Sequence, residues 1–191
     1  MNGCNLLVSS SWRASGRSRR EIVARLRALG DSTPLVIPTD RKGIMTVRTS
    51  LDPRAVIRSL RTLHLDCPTA FRYTYKWVPV DVWTAPDAES LRQAVMRLRD
   101  RIGPGERWRI SIERRAPVCP LPAELIAALA PLIDGKVDLS HPDKILRVDL
   151  FGDRAAVAVI TPEEIFSVVA SQRRLTSRTG VPGEQWVRGT A

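Results

Sequence analysis

The fold of this chain is decided by the stretch that begins Trp108-Arg-Ile-Ser-Ile-Glu-Arg-Arg115 and continues to residue 160. Its first apolar residues alternate with polar ones, which predicts a half-buried strand. Pro122 then predicts the start of an apolar helix, and Pro131 is expected to break or kink that helix near its end because proline cannot donate the expected backbone hydrogen bond. After the turn Gly135-Lys-Val-Asp-Leu-Ser-His-Pro142 come two more strands, over 145–150 and 155–160. The last strand is uniformly apolar, so we expect both of its faces to be covered inside a sheet.

The segment before this stretch predicts a unit of its own. Apolar runs over 5–10, 35–37, 44–49 and 71–80 have the character of strands. A capping pattern, Ser18-Arg-Arg-Glu21, predicts the start of a first helix, and Gly30 predicts its end. Asp52 and Pro53 predict the cap and first turn of a second helix. The resulting order, βαββαβ, is the ferredoxin-like arrangement.

The remaining segments complete the predicted organisation. Thr84-Ala-Pro-Asp87 marks a boundary before a new amphipathic helix, and Thr161-Pro-Glu-Glu164 predicts the start of a terminal helix. We therefore expect an α/β (α+β) protein with a ferredoxin-like domain over 1–84 and a second α/β domain over 85–170. Residues 171–191 lose the apolar period and predict a basic, flexible tail.

Charge indicates the kind of partner. Among 191 residues, 30 are basic and 20 acidic, for a formal net charge of +10. Residues 1–120 carry 22 basic and 11 acidic side chains, whereas 121–170 carry 4 and 8. Arginine dominates, and its planar guanidinium suits contacts with phosphates and bases. An anionic partner is one interpretation; genome composition or thermal adaptation is the other.

Residues 85–170 resemble the THUMP domain, an RNA-binding module of tRNA modification proteins. Arg114 and Arg115 lie where that family has basic residues after its first core strand, and Lys136-Val-Asp-Leu139 with Pro142 matches its most recognisable short motif. In such proteins the module lies beside an N-terminal ferredoxin-like unit. The resemblance implies that the two units grip the acceptor stem and unpaired 3′ end of tRNA.

The candidate RNA contacts follow from this resemblance. Proteins bind A-form RNA through phosphates and unpaired nucleotides, because its major groove is too deep and narrow to read. The alternative role for each candidate cation is a solvated surface. Five arginines on and just before the first helix either extend the RNA-binding surface or form a solvated helix face: Arg17, Arg19, Arg20, Arg25 and Arg27. The RNA-binding candidates are Arg107, Arg109, Arg114, Arg115, Lys136, Lys144 and Arg147.

Three further features have competing interpretations. Phe71, Tyr73, Tyr75 and Trp77 recur with period two, and they form either a base-stacking platform or, as we favour, part of the core. We expect Asp138 to bond the backbone of its turn, because a carboxylate repels phosphate. His64, near the end of the second predicted helix, is expected to pack or to complement the helix dipole rather than to catalyse.

The sequence contains no recognisable catalytic, cofactor-binding or metal-binding motif, and its three cysteines are far apart. We therefore expect no cofactor, no metal, no membrane association and a cytoplasmic location. The closest resemblance is to small stand-alone THUMP proteins that assist N4-acetylation of cytidine in tRNA. This implies a non-catalytic tRNA-binding adaptor for a separate acetyltransferase. A general structured-RNA or ribosome-associated protein, and an enzyme with an unrecognised site, remain the alternatives.

Overall fold

The computed structural model describes residues 3–116 and 121–169, which contain two five-stranded sheets and four α-helices. The elements, in chain order, are β1 (Leu6–Ser10), α1 (Ser15–Ala28), β2 (Leu35–Pro38), β3 (Ile44–Arg48), α2 (Pro53–Asp66), β4 (Thr74–Pro79), β5 (Val82–Thr84), α3 (Ala88–Leu98), β6 (Arg107–Arg114), α4 (Pro122–Leu129), β7 (Lys136–Val137), β8 (Lys144–Leu150), β9 (Ala155–Ile160) and β10 (Phe166–Ser167).

The first unit consists of β1 to β4 with α1 and α2, and β10 joins its sheet. The strand order is β10-β4-β1-β3-β2, with every neighbouring pair antiparallel. The order β4-β1-β3-β2 is that of the predicted ferredoxin-like unit. Its core lies between one sheet face and the two helices, because alternate strand residues point to that face. The fully buried core residues include Leu6, Val8, Ile22, Leu26, Val47, Ile57, Leu60 and Trp77.

The second unit consists of β5 to β9 with α3 and α4, and its strand order is β5-β9-β8-β6-β7. β6 runs parallel to β7 and β8, whereas β9 is antiparallel to its neighbours. All six residues of β9 are buried between β5 and β8, which confirms the predicted interior strand. The helices α3 and α4 cover one face through an apolar cluster that includes Leu91, Val95, Trp108, Leu125, Leu129, Leu146 and Val148.

The chain passes between the two sheets at both ends of the second unit. β5 precedes residue 85 but pairs with β9, and β10 follows β9 but pairs with β4. The faces that the helices leave uncovered pack against each other through two apolar clusters. The domain limits at residues 84 and 170 stay a prediction. β5 lies before residue 85 but belongs to the second sheet, and β10 lies before residue 170 but belongs to the first sheet.

Two predicted helix starts are wrong. α1 begins at Ser15, and the buried Ser18 hydroxyl donates to the Ala14 carbonyl 3.1 Å away instead of capping. The pattern at Thr161 opens only a 3-10 turn, because the fully buried Phe166 brings the chain onto β4 as β10. The predicted tail, 171–191, lies outside the described residues. Among the described helices, none combines the length and the apolar character needed to cross a membrane.

Candidate nucleic-acid interface

The predicted RNA-binding residues fall into two groups at opposite ends of β6. In the strand-start group, Arg107 is in register with Lys136, and Trp108 is in register with Lys144. The strand-end group consists of Arg114 and Arg115, together with Arg147 of the neighbouring β8. Arg147 is in register with Ser111 and shares Asp149 with Arg115. Arg107 and Arg114 are seven positions apart, which is about 23 Å along a strand. The structure therefore does not bring all seven residues to one site.

In the strand-start group, Arg107 is already neutralised by two carboxylates. Its guanidinium donates to both oxygens of Asp143 at 3.2 Å and to Asp138 at 3.3 Å. The hydrogen bond and charge of Asp143 raise the pKa of Arg107, and the same bond lowers the pKa of Asp143. The Asp138 carboxylate also accepts from the backbone N–H groups of Ser140 and His141, which confirms its predicted turn role. Arg107 therefore serves mainly to hold this turn together.

The other cations of the strand-start group differ in how free they are. Lys144 Nζ lies 3.8 Å from the Glu106 carboxylate. Arg109 Nη1 donates to the Leu139 carbonyl at 2.9 Å, which fixes the turn against β6. Lys136 is exposed and forms no ion pair with any described residue. Its charge is therefore fully available to a phosphate, with the exposed side chains of Val137 and Leu139 beside it.

In the strand-end group, Arg147 is buried in an ion network between the two sheets. Its side chain donates to both carboxylate oxygens of Asp149, at 2.7 and 3.0 Å, and to Glu113 at 3.2 Å. Arg147 and Asp149 are each only 2% exposed. This burial argues against an RNA contact for Arg147 and gives it a structural role.

The same network holds Arg115 but leaves Arg114 free. Arg115 donates twice to one oxygen of Asp149, at 2.8 and 3.0 Å. From the first unit, Lys76 Nζ approaches Glu113 to 4.0 Å, and burial is the main cause of the lowered pKa of Lys76. Arg114 is exposed and has no ion pair within the described ranges. Of this group, Arg114 is the residue placed to meet an external anion.

The aromatic run of β4 divides between the core and the surface. Phe71 and Trp77 are 6% and 0% exposed, as the core interpretation predicts. Tyr75 is 42% exposed, so the core interpretation is wrong for this ring. Tyr73 precedes the strand, and the Arg17 guanidinium lies 5.8 Å from its ring centroid. A backbone shift in the β1–β4 pairing near Ser10 disturbs the period of two from which a single face was predicted.

His64 is a packing residue, as expected. Its imidazole is fully buried, with ring centroids 5.8 Å from those of Phe71 and Phe166. Burial lowers the pKa of His64. Because the neutral ring is the form that fits this apolar surrounding, His64 contributes to stability and offers no exposed base.

The positive charge lies mainly on the first unit, away from most of the predicted contacts. Residues 1–84 carry 14 basic and 6 acidic side chains, whereas residues 85–169 carry 12 basic and 13 acidic. Four of the five arginines predicted as a possible extension on α1 are exposed, and the exception, Arg25, donates to the Ala70 carbonyl. The first unit therefore dominates the long-range field that would attract a nucleic acid.

Sequence reasoning missed Trp12 and Lys42, which form an exposed aromatic and cationic cluster with Arg13. Trp12 is 55% exposed, and the cationic groups of Arg13 and Lys42 lie 5.0 and 5.6 Å from its ring centroid. A tryptophan within the polar run Ser9-Ser-Ser-Trp-Arg-Ala-Ser15 has no apolar neighbours in sequence to bury it. The lack of apolar neighbours was the sequence signal from which an exposed tryptophan could have been predicted.

Comparison with known proteins gives structural neighbours only. No family model matches the chain, and no curated protein matches it. PH1313 from Pyrococcus horikoshii Ot3 is 14% identical with a TM-score of 0.60, covering 83% of this chain and 55% of that chain. TrmN from Thermus thermophilus is 14% identical with a TM-score of 0.53, covering 91% and 55%. A 4-thiouridine synthetase, solved as an RNA complex with bound ATP, is 12% identical with a TM-score of 0.53, covering 86% and 42%.

At these identities the likeness shows the fold alone. It confirms the predicted mixed α/β class, with a ferredoxin-like unit followed by a second α/β unit. The chain spans about half the length of PH1313 and TrmN, and less of the synthetase.

Proposed function

We propose that this protein binds tRNA and presents it to a separate modification enzyme. The observation that carries the proposal is the set of exposed cations without a neutralising carboxylate, on a fold shared with a synthetase that was solved bound to RNA. These cations lie on α1, at Lys136 and at Arg114. Phosphate contacts of this kind supply affinity and register, whereas unpaired nucleotides supply recognition.

The two units have different tasks in this proposal. The basic first unit attracts the RNA backbone, and its charge excess makes binding dependent on salt. The second unit is nearly balanced in charge, so its unpaired Lys136 and Arg114 act locally on the strand that the first unit has captured. The two sheets that carry these contacts pack against each other through apolar clusters that contain residues of both. A tRNA acceptor stem with its unpaired 3′ end is the proposed ligand.

The modification chemistry is proposed from the resemblance to small THUMP proteins. We propose that the partner is a cytidine N4-acetyltransferase in the cytoplasm and that this chain contributes no catalytic group. The carboxylates support this division of labour. Those nearest the candidate interface, among the described residues, bind to arginines and to backbone N–H groups. Purified protein mixed with tRNA and an acetyl donor should then leave the mass of the RNA unchanged until the partner enzyme is added.

The binding experiment compares intact tRNA, tRNA lacking its unpaired 3′ end, and an unrelated hairpin RNA of equal length. Intact tRNA should bind best, and loss of the 3′ end should weaken binding by about tenfold or more, since each stacked base contributes about 1–3 kcal/mol. Equal and weak binding to all three RNAs would refute the proposal.

A matched pair of lysine variants tests which cations touch RNA. Lys136→Ala removes an unpaired charge, whereas Lys144→Ala, on β8, removes a charge that is paired with Glu106. We expect Lys136→Ala to reduce tRNA affinity and to lower the salt slope by about one. Lys144→Ala should have a smaller effect on the tRNA affinity and on the salt slope. A larger effect of Lys144→Ala than of Lys136→Ala would show that the ion pairs do not decide which cations bind RNA.

A general structured-RNA-binding protein is the second candidate. The observation favouring it is the spread of exposed arginines along α1, which requires no particular RNA end. It predicts equal affinity for tRNA and the unrelated hairpin, with a steep salt dependence for both.

A further inference from the structure

Trp12 is exposed to an unusual degree for its size. It is 55% exposed, whereas Trp77 and Trp108 are 0% and 2% exposed. A large aromatic side chain normally gains stability by leaving water. The folded chain therefore leaves an indole surface that a planar ligand can cover.

Two cations accompany this indole. The Arg13 guanidinium carbon lies 5.0 Å from the ring centroid, and Lys42 Nζ lies 5.6 Å from it. Lys42 comes from the β2–β3 turn and not from the segment of Trp12, so the fold has brought the two together. Neither cation forms an ion pair with a described residue. Their attraction to the ring is of the cation–π type and leaves their charge available to an anion.

Backbone contacts fix this cluster before any ligand arrives. The Ser10 N–H donates to the Gly43 carbonyl at 2.7 Å, which joins the Trp12 segment to the turn that carries Lys42. Gly43 has a φ of +79°, and an added Cβ would lie 2.8 Å from the Ser10 carbonyl oxygen, so the close approach requires glycine. Between the two segments lies an open cleft of about 210 Å³. Its lining includes Trp12, Ser15, Pro38, Thr39, Arg41 and Lys42.

A second aromatic and cationic pair adjoins the first. The Ser11 N–H donates to the Tyr73 carbonyl at 2.8 Å, which joins the Tyr73 backbone to the residue before Trp12. The Arg17 guanidinium lies over the Tyr73 ring, and its Nη1 donates to the phenol oxygen at 3.4 Å. Rings that alternate with cations along a surface are the arrangement by which proteins hold single-stranded nucleic acid.

We infer that Trp12 stacks on the base of an unpaired RNA nucleotide, while Arg13 and Lys42 bind the adjacent phosphates. One of the two cations leaves the ring face to admit the base and moves its charge to the phosphate. The inference rests on the proposed RNA binding and adds a stacking contact on the first unit. An acidic protein segment could meet the cations, but it would not use the exposed indole ring of Trp12.

The test measures binding of the full chain to two probes, a single-stranded RNA octanucleotide and intact tRNA. Tryptophan fluorescence and fluorescence polarisation detect the binding. Trp12→Ala should weaken octanucleotide binding by about 5- to 150-fold, because a stacked base contributes about 1–3 kcal/mol. Trp12→Phe keeps a ring and should recover most of that loss. Leu65→Ala, which changes a side chain 51% exposed on α2, is the control and should bind as the native protein does.

The outcomes separate this inference from the proposed function. If Trp12→Ala binds the octanucleotide as tightly as the native protein, the stacking contact is overturned, even where tRNA binding persists. If the native protein binds tRNA equally well with and without its 3′ end, while Trp12→Ala no longer binds the octanucleotide, the stacking contact is supported and the proposal of tRNA presentation is refuted. Loss of a protein partner from Trp12→Ala with RNA binding unchanged also overturns the inference.

Discussion

The ion network between the sheets should make Asp149 one of the most sensitive positions in the chain. Asp149 is 2% exposed and accepts hydrogen bonds from Arg147 and Arg115, each within 3.0 Å. Asp149→Ala leaves the buried Arg147 with Glu113, whose side chain is 35% exposed, as its remaining ion partner among the described residues. Removing one member of a buried pair costs about 3–5 kcal/mol, because the remaining charge has lost its water and its partner. Arg115 is 22% exposed and can turn to solvent, so we expect about 3 kcal/mol.

Urea unfolding followed by circular dichroism measures this loss. The double variant Arg147→Met with Asp149→Leu removes both buried charges and should be clearly more stable than Asp149→Ala, since no buried charge of the pair stays uncompensated. Asp52→Ala is a suitable comparison for a mostly exposed carboxylate, and should cost about 1 kcal/mol through the lost helix cap. A cost for Asp149→Ala below about 1 kcal/mol would refute the argument.

Two other perturbations test the packing of the first unit. Burial lowers the pKa of His64 in the folded state, so the unfolded chain takes up the proton first as pH falls. Stability should then decline as pH drops below the unfolded pKa of about 6.5, and His64→Leu should remove that part of the decline in unfolding curves measured from pH 8 to 5. Glu21 accepts from the backbone N–H groups of Arg72, Tyr73 and Thr74. Glu21→Ala should cost about 1–3 kcal/mol in urea unfolding, and an unchanged midpoint would contradict this role.

Local patterns predicted most of the fold, because most elements carry their own start, stop and period. Asp52 caps α2 through its side chain, Gly30 ends α1 with a φ of +102°, and Pro131 lies in the 3-10 turn that follows α4. Alternation along β6 predicted a half-buried strand, and the uniform apolar run of β9 predicted its interior position in the second sheet. These signals depend only on neighbours within a few residues.

The failures involve partners that are distant in sequence. Ser18 and Glu21 have the spacing of a capping box, but Glu21 instead satisfies the entry to β4, more than 50 residues away. Arg147 was predicted as an RNA contact, but a charged side chain can be buried when it is paired. Its pairing with Glu113 arises from the register of β6 with β8, which the sequence does not display.

The RNA contacts stay a prediction, and of the seven residues named from the sequence only Lys136 and Arg114 are exposed. The resemblance to THUMP proteins directed attention to cations of the second unit, and Lys136 and Arg114 keep free charges there. The Trp12 cluster was missed because Lys42 reaches it through the β2–β3 hairpin, about 30 positions later in the chain. A lone ring in a polar segment has no periodicity from which to infer its surroundings.

The central claim is that this protein binds tRNA for modification by another enzyme. Mass spectrometry of tRNA nucleosides from cells that lack the protein tests it most directly. We predict the loss of one modified nucleoside, with N4-acetylcytidine the expected one, restored by the native protein but not by the Trp12→Ala, Lys136→Ala double variant. A nucleoside profile identical to that of normal cells would contradict the account.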